Sequence, residues 1–273
     1  MIPYFTIPKV DLGPIPIDPF GIFAAAGVLF ATWLAAKRTE AQGQDPDILR
    51  DWAPWALVGG LVGAHLMHLF AYHPEELREG GIIGLLKVWD GLSSTGGILG
   101  ALVTGGLYLR WRGERLLDYV NAIALAMAPG WAIARVGCFI VHDHPGRRTT
   151  FPLAVAFPPS VYPGGPRHDL GLDDAIALAL ITGVLWFLAS RRAWAKGALL
   201  AVLAVLYSTQ RFLTDFLRAT DLSYRDARYA GLTPGQYVCL GLFAWGVWHL
   251  WRSRAWPGQP LRAAAAHAKP PGK

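Results

Sequence analysis

Charged residues and cysteines are scarce in this sequence, and no basic face is present. Charged side chains make up 16% of the 273 residues and hydrophobic ones 53%, whereas a soluble domain averages about 25% charged. Cys138 and Cys239 lie far apart in apolar segments, so neither a disulfide framework nor a zinc-ligand spacing follows. The net charge of +6 comes from short clusters between apolar runs, which argues against a nucleic-acid partner. These deficits favour an integral membrane protein.

Long apolar runs predict an all-α, polytopic membrane bundle of seven transmembrane helices. Each run is close to the ~20 residues that a helix needs to cross ~30 Å of hydrocarbon. No basic stretch precedes the first run, so we expect no cleaved signal peptide. We expect one membrane domain over 1–252 and a basic, disordered cytoplasmic tail over 253–273. The runs lie at 19–36, 53–72, 91–109, 119–141, 172–190, 197–217 and 234–251.

The flanking basic residues predict the orientation. More than half of the lysines and arginines follow the first, third, fifth and seventh runs, and such residues concentrate on the cytoplasmic side. The amino terminus is therefore predicted to be outside and the carboxyl terminus cytoplasmic. The external connections at 142–170 and 211–228 nevertheless contain several arginines, which suggests that these arginines bind something.

Arg135 interrupts the fourth apolar run. An arginine at the centre of a membrane helix costs roughly 2.5–3.5 kcal/mol on insertion scales, so we expect it to hold an anion. A guanidinium binds a phosphate through two charge-assisted hydrogen bonds, which favours an anionic phospholipid. The alternative is an intramembrane ion pair with Asp143 or Asp215.

Two histidines and a carboxylate follow directly, as His142-Asp143-His144. The triplet suggests a metal, but side chains two residues apart in an extended loop point in opposite directions. No fourth ligand is apparent, so we expect no metal here.

The end of the sixth run carries polar residues on one helix stripe. Arg211 and Asp215 are four residues apart and can pair, with Tyr207 one turn before and Arg218 about one turn after them. The intervening phenylalanines and leucines favour a functional group at the membrane interface. The alternative is a solvated helix end with a weak surface salt bridge.

Small residues begin the third run at Thr95-Gly96-Gly97. They permit close helix packing or close approach of a ligand to the backbone, and packing is the favoured interpretation. His65 and His68 share a face of the second run, where interhelical hydrogen bonding is favoured over a proton relay.

These segments resemble the prolipoprotein diacylglyceryl transferase family over roughly residues 15–252. The fourth run is similar to the family signature Arg-x-Gly-Asn-Phe-x-Asn-Gly-Glu-x-x-Gly, with Asp143 in place of the glutamate. The sixth resembles Tyr-x-x-x-Arg-Phe-x-x-Glu-Phe-x-Arg, with Asp215 for the glutamate. His168 matches the histidine of the family segment His-Pro-Ser-Gln-Leu-Tyr-Glu. The remaining matches are Arg135, Gly137, Phe139, Gly146, Tyr207, Arg211, Phe212, Phe216 and Arg218.

Two positions depart from the family pattern. The family carries His-Gly-Gly where this chain has Thr95-Gly96-Gly97, and Cys138 stands in place of the signature asparagine. Threonine cannot act as a general base near neutral pH as imidazole does. A histidine elsewhere would have to replace it, and His142, His144 and His168 are the candidates.

The resemblance implies a multi-pass transferase of the bacterial inner membrane that needs no cofactor. Such an enzyme moves diacylglyceryl from phosphatidylglycerol to the lipobox cysteine of a preprolipoprotein and releases glycerol phosphate. The alternatives are a diverged relative that binds an anionic phospholipid without chemistry, and a related transferase with another acceptor. The implied catalytic residues are Asp143, His142, His144, His168, Tyr207 and Asp215. The implied substrate-binding residues are Arg135, Arg211, Arg218, Gly146, Thr95, Gly96, Gly97 and Cys138.

Overall fold

The computed structural model describes residues 1–8, 10–12, 15–87, 91–191, 193–222 and 226–253. It is predominantly helical, as predicted. The expected tail lies outside the described residues, apart from Ser253. The helices are α1 Pro19–Glu40, α2 Asp47–Met67, α3 Pro74–Leu86, α4 Ser94–Trp111, α5 Leu116–Val141, α6 Leu170–Arg191, α7 Ala198–Thr214 and α8 Pro234–Arg252.

Seven of these helices coincide with the seven apolar runs, and α3 is the additional one. A π-helical turn, His68–Tyr72, continues α2, and a 3-10 turn, Asp215–Leu217, continues α7. Within the described part of the chain, five helical segments are long and apolar enough to cross a membrane: Pro19–Glu40, Asp47–Tyr72, Leu116–Val141, Leu170–Arg191 and Ala198–Leu217. The protein is therefore a multi-pass membrane protein.

Short strands accompany the helices, which the all-α prediction did not include. They are β1 Ile2–Pro3, β2 Val10–Leu12, β3 Ile15–Ile17, β4 Pro145–Arg148, β5 Val155–Ala156 and β6 Arg167–Asp169. β2 and β3 form an antiparallel pair. The other four form one sheet in the order β1-β5-β6-β4, in which only β1 and β5 are parallel. Strands of two to four residues are too short for an alternating pattern to reveal.

Glycines hold the helices in close pairs. A Cβ atom on Gly63 of α2 would lie 2.5 Å from the carbonyl oxygen of Gly96 on α4, and one on Gly27 of α1 would lie 2.3 Å from that of Gly130 on α5. Small residues allow the helix backbones to approach this closely. In a membrane, close packing of this kind holds helices together, because there is no hydrophobic driving force between helices surrounded by lipid. α5 also packs against α6 and α7, so it is central to the bundle. Large apolar side chains such as Leu180 remain exposed on the outside.

Candidate functional site

Three helices bring together Arg135, Asp174 and Arg211, which we call the arginine cluster. Arg135 lies near the end of α5, Asp174 in the first turns of α6 and Arg211 near the end of α7. One Asp174 carboxylate oxygen, Oδ2, lies 3.4 Å from Arg135 Nε and 3.5 Å from Arg211 Nη1. All three side chains are buried. Two buried cations thus share one anion in the interior of the bundle.

Asp174 is a candidate site residue that the sequence reasoning missed. The alternative of an ion pair for Arg135 is confirmed, but its partner is Asp174, and the two partners considered, Asp143 and Asp215, are wrong. Asp143 bonds His144, and Asp215 bonds other arginines. The Asp174 carboxylate is also fixed by Gln210, whose Nε2 donates to Oδ1 at 2.8 Å. A signal was available: Asp174 follows His168 at the spacing that separates glutamate from histidine in the family segment His-Pro-Ser-Gln-Leu-Tyr-Glu.

Asp215 extends this arrangement towards the end of the bundle. The predicted pair with Arg211 is confirmed, with Nη2 3.4 Å from Oδ1, and Arg218 Nε donates to the same oxygen at 2.6 Å. Thr233 donates its hydroxyl proton to the other carboxylate oxygen while its Oγ1 accepts from the Gln236 N–H as the cap of α8. Asp215 is buried, so the surface salt bridge considered as the alternative is wrong.

A cavity of about 610 Å³ opens beside these residues. Arg211 and Arg218 line one wall, and Asp143 and His144, which hydrogen-bond each other, line another. The π-helical turn after α2 and the segment before α4 complete it. The lining from that side consists of His68, Tyr72, His73, Gly91, Leu92 and Ser93.

His142 and His168, two of the three histidines predicted to replace the missing base, are not among the residues that line this cavity. His142 is buried, ends α5 in a left-handed conformation (φ 53°), and its Nδ1 lies 2.6 Å from Asp169 Oδ2. His168 lies on β6, with its Nδ1 3.2 Å from Asp173 Oδ2. His144 is therefore the predicted histidine that reaches the cavity.

Gly146 is part of the loop framework beside the cavity. It forms a bridge with Arg218, and a Cβ there would lie 2.7 Å from the His168 Cβ. Its carbonyl accepts from Arg167 Nη1 at 3.2 Å. Arg167 is fully buried and donates to both oxygens of Asp221, at 2.8 and 2.7 Å. These hydrogen bonds from Arg167 lower the pKa of Asp221 to about 2.

Tyr207 and Cys138 lie in the interior near the cluster. The Tyr207 ring packs on Trp131, with 4.6 Å between ring centroids, and the Cys138 sulfur lies 3.9 Å from Arg135 Nη1. Thr95 Oγ1 lies 3.5 Å from the Tyr72 hydroxyl, which lines the cavity.

Gly96 and Gly97 pack against α2, which confirms the interpretation that these small residues serve close helix packing. The Gly96 position faces Gly63, and the Gly97 position faces Gly60 and Ala64. Their role in substrate binding stays a prediction.

Cys138, Asp143 and His144 place a sulfur, an oxygen and a nitrogen within 4.8 Å of one another. This is a possible donor set for a metal ion. The expectation that the loop binds no metal stays a prediction, because the hydrogen bond between Asp143 and His144 equally accounts for their closeness.

Comparisons with known proteins agree on one family. The family described as "Prolipoprotein diacylglyceryl transferase" matches residues 9–252. The chain is 31% identical to a phosphatidylglycerol–prolipoprotein diacylglyceryl transferase of Nitratidesulfovibrio vulgaris over 90% of this chain and 92% of the relative. It is 31% identical to one from Azotobacter vinelandii, over 90% and 96%. It is 27% identical to one from Chromohalobacter salexigens, over 96% and 99%.

Proposed function

Because the chain belongs to the prolipoprotein diacylglyceryl transferase family, we propose that it moves diacylglyceryl from phosphatidylglycerol to a prolipoprotein cysteine and releases glycerol phosphate. The observation that carries this proposal is the buried arginine cluster beside the cavity, with two cations and one anion. Arginines bind phosphate groups through charge-assisted hydrogen bonds. The phosphodiester of the lipid, a monoanion, would bind where Arg211 and Arg218 line the cavity.

The phosphate is proposed to bind at the cavity wall formed by Arg211 and Arg218. Asp215 holds both guanidiniums, so their direction is set before substrate binds. Arg135 lies behind Asp174 and keeps that carboxylate from neutralising Arg211 alone. Preorganised cations of this kind need no reorganisation during the reaction, which is the main source of electrostatic catalysis.

In the proposed reaction, the acceptor sulfur bonds to the glyceryl carbon that carries the phosphate ester. The bond from that carbon to the phosphate oxygen breaks, and its electron pair leaves with the oxygen. Glycerol phosphate departs with one more negative charge than the phosphodiester had, and Arg211 and Arg218 would stabilise that charge. We assign His144, held by Asp143, to the leaving phosphate as a proton donor. His142 and His168 are assigned to the support of the loop that carries this pair.

The orientation in the membrane is also part of the proposal. The seven long helices would all cross the bacterial inner membrane, with the amino terminus outside and the carboxyl terminus in the cytoplasm. The basic residues after α1, α4 and α6 support this orientation. The cavity then opens at the outer leaflet, where phosphatidylglycerol and a preprolipoprotein lipobox segment could both reach it.

Release of glycerol phosphate tests the function. The purified chain in phosphatidylglycerol vesicles, given a lipobox peptide with a free cysteine, should release glycerol phosphate and leave a diacylglyceryl peptide. Arg211→Gln should reduce the rate by about 10²–10³, the usual loss on removing one stabilising donor. Arg110→Gln is the matched control, because Arg110 is exposed at the opposite end of α4.

Two results would contradict the proposal in different ways. Binding of phosphatidylglycerol without release of glycerol phosphate would support the lipid-binding relative, which the changes at Thr95 and Cys138 favour. Release of glycerol phosphate without modification of the lipobox cysteine would point to another acceptor.

A further inference from the structure

A thiol acceptor must lose its proton before its sulfur can bond to carbon. The imidazole of His68, which has no role in the reaction as proposed above, lines the cavity where this would occur. His68 begins the π-helical turn at the end of α2 and lines the cavity. A cysteine thiol has an ordinary pKa of about 8.5, so at neutral pH most of it is protonated and poorly nucleophilic. A base near neutral pH would therefore raise the reactive fraction.

His68 is held as a base needs to be held. Its Nε2 lies 3.0 Å from Glu76 Oε2 on α3, and the imidazole packs directly over Gly91, where any Cβ would lie 2.1 Å from the ring. If Nε2 carries the proton and donates it to the carboxylate, Nδ1 presents a lone pair. An imidazole oriented by a carboxylate through one nitrogen, with the other nitrogen left for the reaction, is the arrangement of a general base.

The position of His68 in the cavity also fits the chemistry. His68 belongs to the π-helical turn after α2, whereas Arg211 and Arg218 come from α7 and the turn after it, and all three line the same cavity. The base and the cations that would hold the leaving group are therefore supplied by different elements. The neighbouring Tyr72 lies 3.5 Å from Thr95, the position where the resemblance places a histidine.

We infer that His68 is the general base of the reaction and that Glu76 is its positioning residue, an inference that rests on the proposed function. The thiol proton passes to Nδ1, and the sulfur electron pair forms the bond to the glyceryl carbon. The carbon–oxygen bond breaks, and glycerol phosphate leaves with that electron pair. The imidazolium then returns its proton to solvent or to the departing phosphate, so the atoms and charges balance.

Titratable and charged groups face His68 from its own turn, from α3 and from the rest of the cavity lining. Glu76 and the ring of His73, whose centroid is 4.8 Å away, are its immediate neighbours, and Glu76 Oε1 also lies 4.0 Å from His73 Nδ1. The rest of the cavity lining contributes these titratable or charged groups: Tyr72, Asp143, His144, Tyr162, Arg211, Arg218, Asp221 and Asp226.

The test compares two acceptor peptides on the full chain in phosphatidylglycerol vesicles. With a cysteine lipobox peptide, His68→Gln should lower kcat by about 100-fold or more and should remove the acid limb of the pH–rate profile, with little change in KM for the lipid. With the same peptide carrying selenocysteine, whose selenol is already ionised at neutral pH, His68→Gln should approach the wild-type rate. Glu76→Gln should shift the acid limb and retain partial activity. His249→Gln, at the opposite end of the bundle against Trp245, is the control and should behave as wild type.

The outcomes separate the inference from the function on which it rests. Wild-type kinetics in His68→Gln, or an equal loss with both peptides, would overturn the assignment of a base while the transferase activity stood. A wild-type chain that transfers nothing to either peptide would overturn the proposed function, and the inference with it.

Discussion

At the scale of single residues, a shared carboxylate organises the site. A lone arginine in a membrane helix is costly, and a one-to-one ion pair would remove its attraction for a ligand. Asp174 contacts Arg135 and Arg211 together, and Asp215 contacts Arg211 and Arg218, so two carboxylates are shared among three arginines. These shared pairs stabilise the arginines without a ligand and leave Arg211 and Arg218 at the cavity, where the proposed phosphate would bind.

Replacing Asp174 with asparagine tests this arrangement. The amide keeps the size of the side chain but removes the negative charge, so Arg135 would lose its carboxylate partner and Arg211 would retain only Asp215. We expect glycerol phosphate release to fall by about 100-fold or more and the free energy of unfolding to fall by about 3 kcal/mol, since breaking a buried pair costs this much. Both are measurable on purified protein, by the transfer assay and by thermal unfolding.

Asp174→Glu and Gln210→Ala serve as the comparison. The glutamate keeps the charge, and the Gln210 change removes only the neutral hydrogen bond of 2.8 Å, so each should retain more activity than the asparagine variant. Full activity in Asp174→Asn would show that the shared carboxylate is unnecessary.

Asp221 links two loops, and the stability it confers should depend on pH. Arg167 holds the pKa of Asp221 at about 2, below its ordinary value of 3.8. A lowered carboxyl pKa stabilises the fold above the ordinary value and loses that contribution as pH falls through the folded-state value. Asp221→Asn should thus lower the free energy of unfolding at pH 7 by about 1 kcal/mol or less, because Asp221 is partly exposed, and should lower the melting temperature slightly.

The difference between wild type and Asp221→Asn should persist down to about pH 4 and disappear towards pH 2. Asp47→Asn removes an exposed pair with Arg50 and is the control, with no measurable change expected at any of these pH values. A pH-independent difference in melting temperature would contradict this account.

At the scale of elements, the sequence predicted the helices that form from long apolar runs. All seven apolar runs became helices because an apolar run of this length in lipid has to satisfy its backbone hydrogen bonds internally. α3 was missed because its stretch, which includes Glu75, Glu76 and Gly81, is short and polar. Asp174 was missed because its partners are remote in sequence and only the crossing of α5, α6 and α7 brings them together. His142 and Arg135 were recognised as unusual, but the sequence could not say which carboxylates they meet.

The contact between α2 and α4 positions two residues of the cavity lining, His68 after the end of α2 and Ser93 before the start of α4. Gly63→Ala would place a Cβ 2.5 Å from the Gly96 carbonyl oxygen and 2.8 Å from the Gly100 Cα. Backbone cannot yield as a flexible side chain can, so the helices must separate. We expect the free energy of unfolding to fall by about 1–3 kcal/mol and transfer to slow.

Gly183→Ala is the matched control, because a Cβ at this position of α6 meets nothing within 4 Å. Thermal unfolding of the two variants in the same detergent measures the difference. Equal melting temperatures would contradict the role given to the α2–α4 glycine contact.

At the scale of the whole molecule, the distribution of basic residues and the position of the cavity support the same proposed orientation in the membrane. The basic clusters after α1, α4 and α6 lie at one end, and the cavity with Arg211 and Arg218 lies at the other. Basic residues gathered at the cavity end oppose the usual sorting of charge, and their burial in ion pairs with Asp174 and Asp215 explains how they are tolerated there.

This arrangement makes the topology directly testable. Ser160, in the exposed loop between β5 and β6, and Gln42, in the exposed turn between α1 and α2, lie at opposite ends. Because the native Cys138 and Cys239 are buried, single cysteines at these two positions should dominate labelling by a membrane-impermeant maleimide. Ser160→Cys should react in cells whose inner membrane is intact, and Gln42→Cys only after that membrane is permeabilised. The reverse pattern would place the cavity in the cytoplasm, where no exported lipobox cysteine could meet the arginines, and the proposed acceptor would have to be abandoned together with the orientation.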